Sequence, residues 1–280
     1  MMMVRLRNVI IPAVAAGVAL SVSSSSSLSC ASALAPKKIT SVAAAAQMDA
    51  LIIDTTTTSA SLLSQADSFA ETFENDPNVL WRSARSYYQA SKSSKLLSAS
   101  ERVSLLRRAI HLLSAARARG VTRDSSSAHR WEGIVKSELS SLVTSREAAK
   151  LAWDVKTHFS DALAIDAGDA NAAHLYGRWA RAISEIPEWK RSILFALTGE
   201  ELPRSSHAEA CEYFARAERI DPSGWCSNLA ALASCKEKSG DFKEAVAFAR
   251  TALATSNVNR DVETIIEAEN VLKRVENRIK

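Results

Sequence analysis

Ala208-Glu209-Ala210-Cys211-Glu212-Tyr213-Phe214-Ala215-Arg216-Ala217-Glu218-Arg219-Ile220-Asp221-Pro222 and Lys243-Glu244-Ala245-Val246-Ala247-Phe248-Ala249-Arg250-Thr251-Ala252-Leu253 decide the fold, because the second segment repeats the first with a shift of 35 residues. Ala245 and Ala252 follow Ala210 and Ala217 at that interval, and Phe248 follows Tyr213. Ala210 and Ala217 are two helical turns apart and lie along one face. Small side chains there let a neighbouring helix approach closely, while Tyr213 and Phe214 fill the space beside it. Gly240 supplies the left-handed residue on which a helix commonly ends, and Asp221-Pro222 stops the helix before it.

A period near 34 with small residues at fixed places on paired helices is the tetratricopeptide pattern, and it implies stacked helix pairs. A more distant copy, Phe159-Ser160-Asp161-Ala162-Leu163-Ala164-Ile165-Asp166, precedes Phe214 by 55 residues. About twenty extra residues therefore lie between repeats, including Ile186-Pro187-Glu188-Trp189 and Glu201-Leu202-Pro203-Arg204. Insertions in such arrays often gather on the binding face. Leu105–Leu113 and Trp131–Val135 have helical apolar spacing and are read as an earlier pair, and Asp261–Lys280 as a closing helix with its charges outward. The expected fold is all-α, a tetratricopeptide-like right-handed solenoid of antiparallel helix pairs over residues 64–280.

Composition agrees. Gly and Pro together make 14 of 280 residues, about 5% where average usage gives roughly 12%, too few for the turns of a sandwich or barrel. The amino terminus has Arg5 and Arg7, an apolar run from Val9 to Val22, a serine run and no acid before Asp49. That fits a secretory signal peptide and equally an organelle transit peptide, so residues 1–45 are read as a targeting segment outside the fold. Residues 46–63, with their threonine run, are read as a flexible linker. Cys30, Cys211, Cys226 and Cys235 show no metal or redox spacing and are expected as free thiols, the last three as small apolar residues on helices in a reducing compartment.

The net charge of +4 is unevenly spread. Residues 81–130 carry eleven Lys or Arg against two acids, while the stretches on either side are slightly acidic. Such a block draws polyanions. Its candidates for a partner-binding surface are Arg82, Arg85, Lys92, Lys95, Arg102, Arg107 and Arg108. Trp81, Trp131 and Trp179 read as core, and His129 and His174 as satisfied structural histidines, since neither belongs to a His-Glu-x-x-His motif. No Gly-x-Ser-x-Gly, P-loop or dinucleotide fingerprint occurs, so no catalytic residue, cofactor or metal is expected. Nucleic acid is not an expected partner, because Tyr87 and Tyr88 alone offer stacking within the block.

Asp76-Pro77-Asn78-Val79-Leu80-Trp81-Arg82-Ser83-Ala84-Arg85, His129-Arg130-Trp131, His174-Leu175-Tyr176-Gly177-Arg178-Trp179 and the stretch from Trp189 to Pro222 together resemble the regulator of microtubule dynamics family, which is tetratricopeptide-like. The resemblance covers about residues 75–253. It implies a non-enzymatic scaffold that associates with microtubules or the spindle, in the cytoplasm and on the cytoskeleton, where the acidic carboxyl-terminal tails of tubulin suit the basic block. Some members act at mitochondria and membrane contacts. The alternative it implies is an organelle-tethering or lipid- or peptide-binding module at a mitochondrial or other membrane surface, addressed by residues 1–45.

Overall fold

A computed structural model describes residues 39–280 apart from 55, 94–96, 121, 256–261 and 280. Among the described residues there are twelve helices and no strand: α1 (Ser41–Ile53), α2 (Ser59–Thr72), α3 (Pro77–Ser93), α4 (Ala99–Arg117), α5 (Arg123–Ser140), α6 (Ser145–Ile165), α7 (Ala170–Ser184), α8 (Glu188–Thr198), α9 (His207–Ile220), α10 (Cys226–Lys238), α11 (Phe242–Ala254) and α12 (Val262–Ile279). None of these is long and apolar enough to cross a membrane. The closest-packed neighbours are α3 with α4, α5 with α6, α7 with α9 and α10 with α11, a tandem array of helix pairs closed by α12.

Local chemistry sets the breaks. Thr58, Ser98, Thr144, Ser206 and Asp241 each accept a backbone N–H two or three residues into the following helix, which satisfies a donor the helix itself leaves unpaired. Ser98 and Glu101 complete a reciprocal capping box. Gly240 has φ +84°, as its place between α10 and α11 requires.

Close approach holds the pairs together. A Cβ added at Gly133 would fall 2.4 Å from the Phe159 ring, and one at Gly177 would fall 2.8 Å from Phe214 and 3.1 Å from the Ala210 carbonyl oxygen. Both rings are fully buried, and burial of one such side chain is worth about 1.5–3 kcal/mol. In the last pair alanines replace the glycine–phenylalanine contact: Ala230, Ala233, Ala245, Ala249 and Ala252 pack with Ala268, Val271 and Val275 of α12. Trp81, Trp131 and Trp179 are buried, as their apolar context predicts.

His174 is buried in the same core. Its ring packs between Trp225 and Phe214, Nδ1 donates to Asn228 Oδ1 at 3.0 Å, and Asn228 in turn donates to the Phe214 carbonyl. Its Nε2, by contrast, has no hydrogen-bond partner, so His174 is only half satisfied. Burial, helped by Arg178 and Arg181, pushes its pKa down to about 3, and burial with His158 and Arg117 pushes His129 down to about 4.

Several expectations change. Residues 46–63 are not a flexible linker, and the fold reaches back into the segment assigned to targeting. Thr40 caps α1, Ala44, Ala45 and Met48 are buried, and Thr58 from the threonine run caps α2. The targeting features of residues 1–38 lie outside the described residues. The helix of Leu105–Leu113 pairs closely with α3 before it, while the helix of Trp131 pairs with that of Phe159. The insertion lies within a repeat, between α7 and α9, and forms α8. Cys211 and Cys235 are joined in a disulfide across α9 and α10, with Cα atoms 5.7 Å apart, so of the three helical cysteines Cys226 alone keeps its thiol, and that thiol is buried. Helix pairing brings the two bonded sulfurs together although 24 residues separate them.

Two outcomes follow for stability. Gly133→Ala is expected to lower the unfolding free energy by about 1–2 kcal/mol, since a Cβ 2.4 Å from a buried ring puts overpacking in the upper half of its usual range of about 1–3 kcal/mol and helix propensity returns about 1 kcal/mol. Adding Phe159→Leu should recover part of that loss; a Gly133→Ala chain as stable as the parent in urea contradicts the close contact. The second outcome concerns acid. Unfolded histidine takes up a proton near pH 6.5 that folded His174 refuses, so stability is complete above that pH and falls as pH drops toward about 3. By about pH 5 the loss from His174 is about 2 kcal/mol. His174→Gln should lessen the fall of the urea midpoint between pH 7 and about pH 5 and leave the part due to His129, and an unchanged slope excludes His174 as a source.

Candidate functional site: basic patch and groove

The basic block divides into side chains that hold the fold and side chains that face water. Asp49 of α1 accepts from Arg82 Nε at 2.8 Å and from Arg85 Nη1 at 3.0 Å. Arg85 is buried and lies over the Trp131 ring. Burial lowers its pKa to about 10, with Asp49 opposing that shift and Arg82 and Arg130 adding to it. Arg85 is therefore removed from the expected contact surface, because Asp49, an acid within the stretch read as a flexible linker, fixes it inside.

Glu138, buried on α5, accepts from Arg102 at 2.5 Å and from Lys92 at 3.2 Å, tying α3, α4 and α5 together. Arg107 bonds Glu147 at 2.8 Å and Arg108 lies 3.6 Å from Asp67. The Tyr87 hydroxyl donates to the same Asp67 carboxylate at 2.5 Å. Arg107 and Arg108 keep 58% and 43% of their side-chain surface in water. Lys95 lies outside the described residues. The structure thus leaves Arg107 and Arg108 of α4 exposed, brings Lys92 and Arg102 together at Glu138 with part of each still in water, and sets Arg82 and Arg85 against α1.

A groove of about 630 Å³ lies elsewhere, bordered by α7, α10 and α12. Arg178, Arg181, Lys238, Arg274 and Arg278 face it, interleaved with Glu185, Glu237, Glu263 and Glu267. Arg181 pairs with Glu267, Lys238 with Glu185 at 3.4 Å, and Arg274 with Glu237 at 2.6 Å. The charges of the closing helix thus point partly inward and not solely outward. The inserted segment contributes none of the lining. It packs instead against α6, where Trp153 Nε1 donates to the Glu201 carbonyl at 2.8 Å and Arg146 to that of Thr198 at 2.8 Å. Trp189, Phe195 and Leu197 of α8 remain exposed.

Sequence reasoning missed this groove. Arg178 and Arg181, three apart, and Arg274 and Arg278, four apart, each share a helix face, a spacing that marks two basic edges without revealing that they meet. The groove is lined by opposed charges, so it favours a polar, charged partner.

The model of the family described as Regulator of microtubule dynamics protein 1-3 matches residues 44–276. The chain is 32% identical over 157 residues to regulator of microtubule dynamics protein 1 of Mus musculus, covering 56% of this chain and 50% of that protein. Identity to regulator of microtubule dynamics protein 3 of Xenopus laevis is 27% over 182 residues, covering 65% of this chain and 38% of that protein. The chain thus spans about half the length of the curated relatives it matches, or less. Among solved structures, a thermophilic TPR protein of Thermus thermophilus superposes with a TM-score of 0.50 over 81% of this chain and 95% of that one, at 17% identity, which is a likeness of fold. The family match runs from the first buried helix to the last turns of the closing one, and the chain belongs to the regulator of microtubule dynamics family.

Proposed function

We propose that this chain is a non-enzymatic helical-repeat scaffold that associates with microtubules or the spindle and influences their dynamics, working in the cytoplasm on the cytoskeleton. The observation that carries this reading is the family match across residues 44–276, nearly the whole helical array. The exposed arginines of α4 add a physical means. Arg107 and Arg108 pair with the half-exposed acids Glu147 and Asp67, and exposed pairs of this kind are worth only about 0.2–1 kcal/mol. An acidic tubulin tail can exchange for those partners at little cost. Arg102 and Lys92 extend the same surface, although Glu138 holds them more firmly.

A second reading draws on the groove. An organelle-tethering or peptide- or lipid-binding module would seat a charged partner or headgroup against Arg178, Arg274 and Arg278, with residues 1–45 as its address. Fluorescence from a fusion of residues 1–60 that concentrates on an organelle supports that address, and a diffuse cytosolic signal removes it.

Co-sedimentation of the full chain with polymerised tubulin tests the first reading. The chain should pellet at low salt and release as salt rises, because exposed charges are screened. Arg107→Ala with Arg108→Ala should weaken binding roughly two- to thirtyfold, or about 0.4–2 kcal/mol for the two charges, with the unfolding midpoint kept. Absence from the pellet at low salt overturns the microtubule role, and unchanged affinity in the double variant overturns this contact surface.

A further inference from the structure

Among the described residues, two clusters of metal-type ligands stand apart from the basic patch and the groove, and one of them, His207 with Cys211 and Cys235, already has its sulfurs joined. The other consists of His129 on α5 with His158 and Asp161 on α6. Its ligand atoms converge on one point. His129 Nδ1 lies 3.3 Å from His158 Nδ1 and 3.4 Å from Asp161 Oδ2, and all three atoms lie within 4.8 Å of one another. A tetrahedral zinc ion, about 2.0–2.2 Å from nitrogen and carboxylate oxygen, sets its ligand atoms about 3.4 Å apart. An octahedral ion with bonds of the same length sets them about 3.0 Å apart. The separations of 3.3 and 3.4 Å from His129 Nδ1 match the tetrahedral case.

The surroundings complete the geometry. His158 Nε2 lies 3.1 Å from Glu132 Oε1, and Glu132 is buried while Arg117 at 2.7 Å and Lys136 at 3.1 Å hold it. A ligating histidine commonly donates its second ring N–H to such a carboxylate, which leaves the facing nitrogen with a free lone pair. Lys136 Nζ also lies 3.0 Å from His158 Nε2, but Glu132 and Asp154 give the ammonium two carboxylate acceptors without that nitrogen. Asp161 keeps 45% of its side chain in water, so one side of the cluster opens to solvent.

We propose that His129, His158 and Asp161 bind a zinc ion that clamps α5 to α6, with Glu132 positioning His158 and water in the fourth place. The ion would join the same helix pair whose close approach depends on Gly133.

The test uses the full chain kept oxidised, so that Cys211 and Cys235 stay paired, stripped with a chelator and dialysed against zinc or cobalt(II). The expected result is one equivalent of zinc per chain and the intense visible absorption of tetrahedral cobalt. Asp161→Asn, a change at an exposed carboxylate, and His129→Gln should each lose that equivalent while keeping the helical circular dichroism. Glu132→Gln should weaken zinc binding by about 10–100-fold. Three results overturn the proposal: no zinc on the parent chain, equal zinc on the Asp161 and His129 variants, or zinc that appears only after reduction and vanishes in Cys211→Ser.

Discussion

The array depends on how closely two helix backbones can approach at Gly133 and Gly177. A phenylalanine from the partner helix occupies the space where a side chain would start, so the helices of each pair nest and the rings are wholly enclosed. The last pair reaches the same end with alanines on both sides. That substitution makes the pairs alike enough to stack while their sequences diverge, and each pair then offers the next a surface of the same shape. Close packing leaves little room for adjustment, which is why one added methyl is felt there.

Charge follows this packing and does not drive it. Glu132, Glu138 and Asp49 are carboxylates placed where helices meet, each with two cationic partners, all but Lys136 of them supplied by a neighbouring helix. Leaving Glu132 or Glu138, both buried, without those partners would expose the full cost of burying an ion. The excess of arginine in residues 81–130 is thus largely the complement of acids supplied by other helices, and the part that remains available to a partner is narrower than the sequence total implies.

The helix pairs of residues 145–254 were legible because Ala210, Ala217, Ala245 and Ala252 repeat at one interval, and because Gly240 and Asp221-Pro222 mark the breaks. Which helices pair most closely was less legible: Leu105–Leu113 and Trp131–Val135 are each apolar on one face, and spacing does not say which neighbour covers it. Helix α1 was hidden for a different reason. Its alanine run looks like processing sequence until Asp49 is seen between Arg82 and Arg85. The groove and the His129–His158–Asp161 cluster each join residues far apart in the chain, and neither has a local pattern. The Cys211–Cys235 bond escaped on the same ground.

Helix α1 has a practical corollary for anyone trimming the protein to its repeats. A version begun after the threonine run would discard Asp49 and strip two arginines of the carboxylate they share, one of them enclosed beside Trp131. Such a fragment would gain a cationic scar and a loosened first pair. Its appetite for acidic surfaces would then report the surgery and say little of the native molecule.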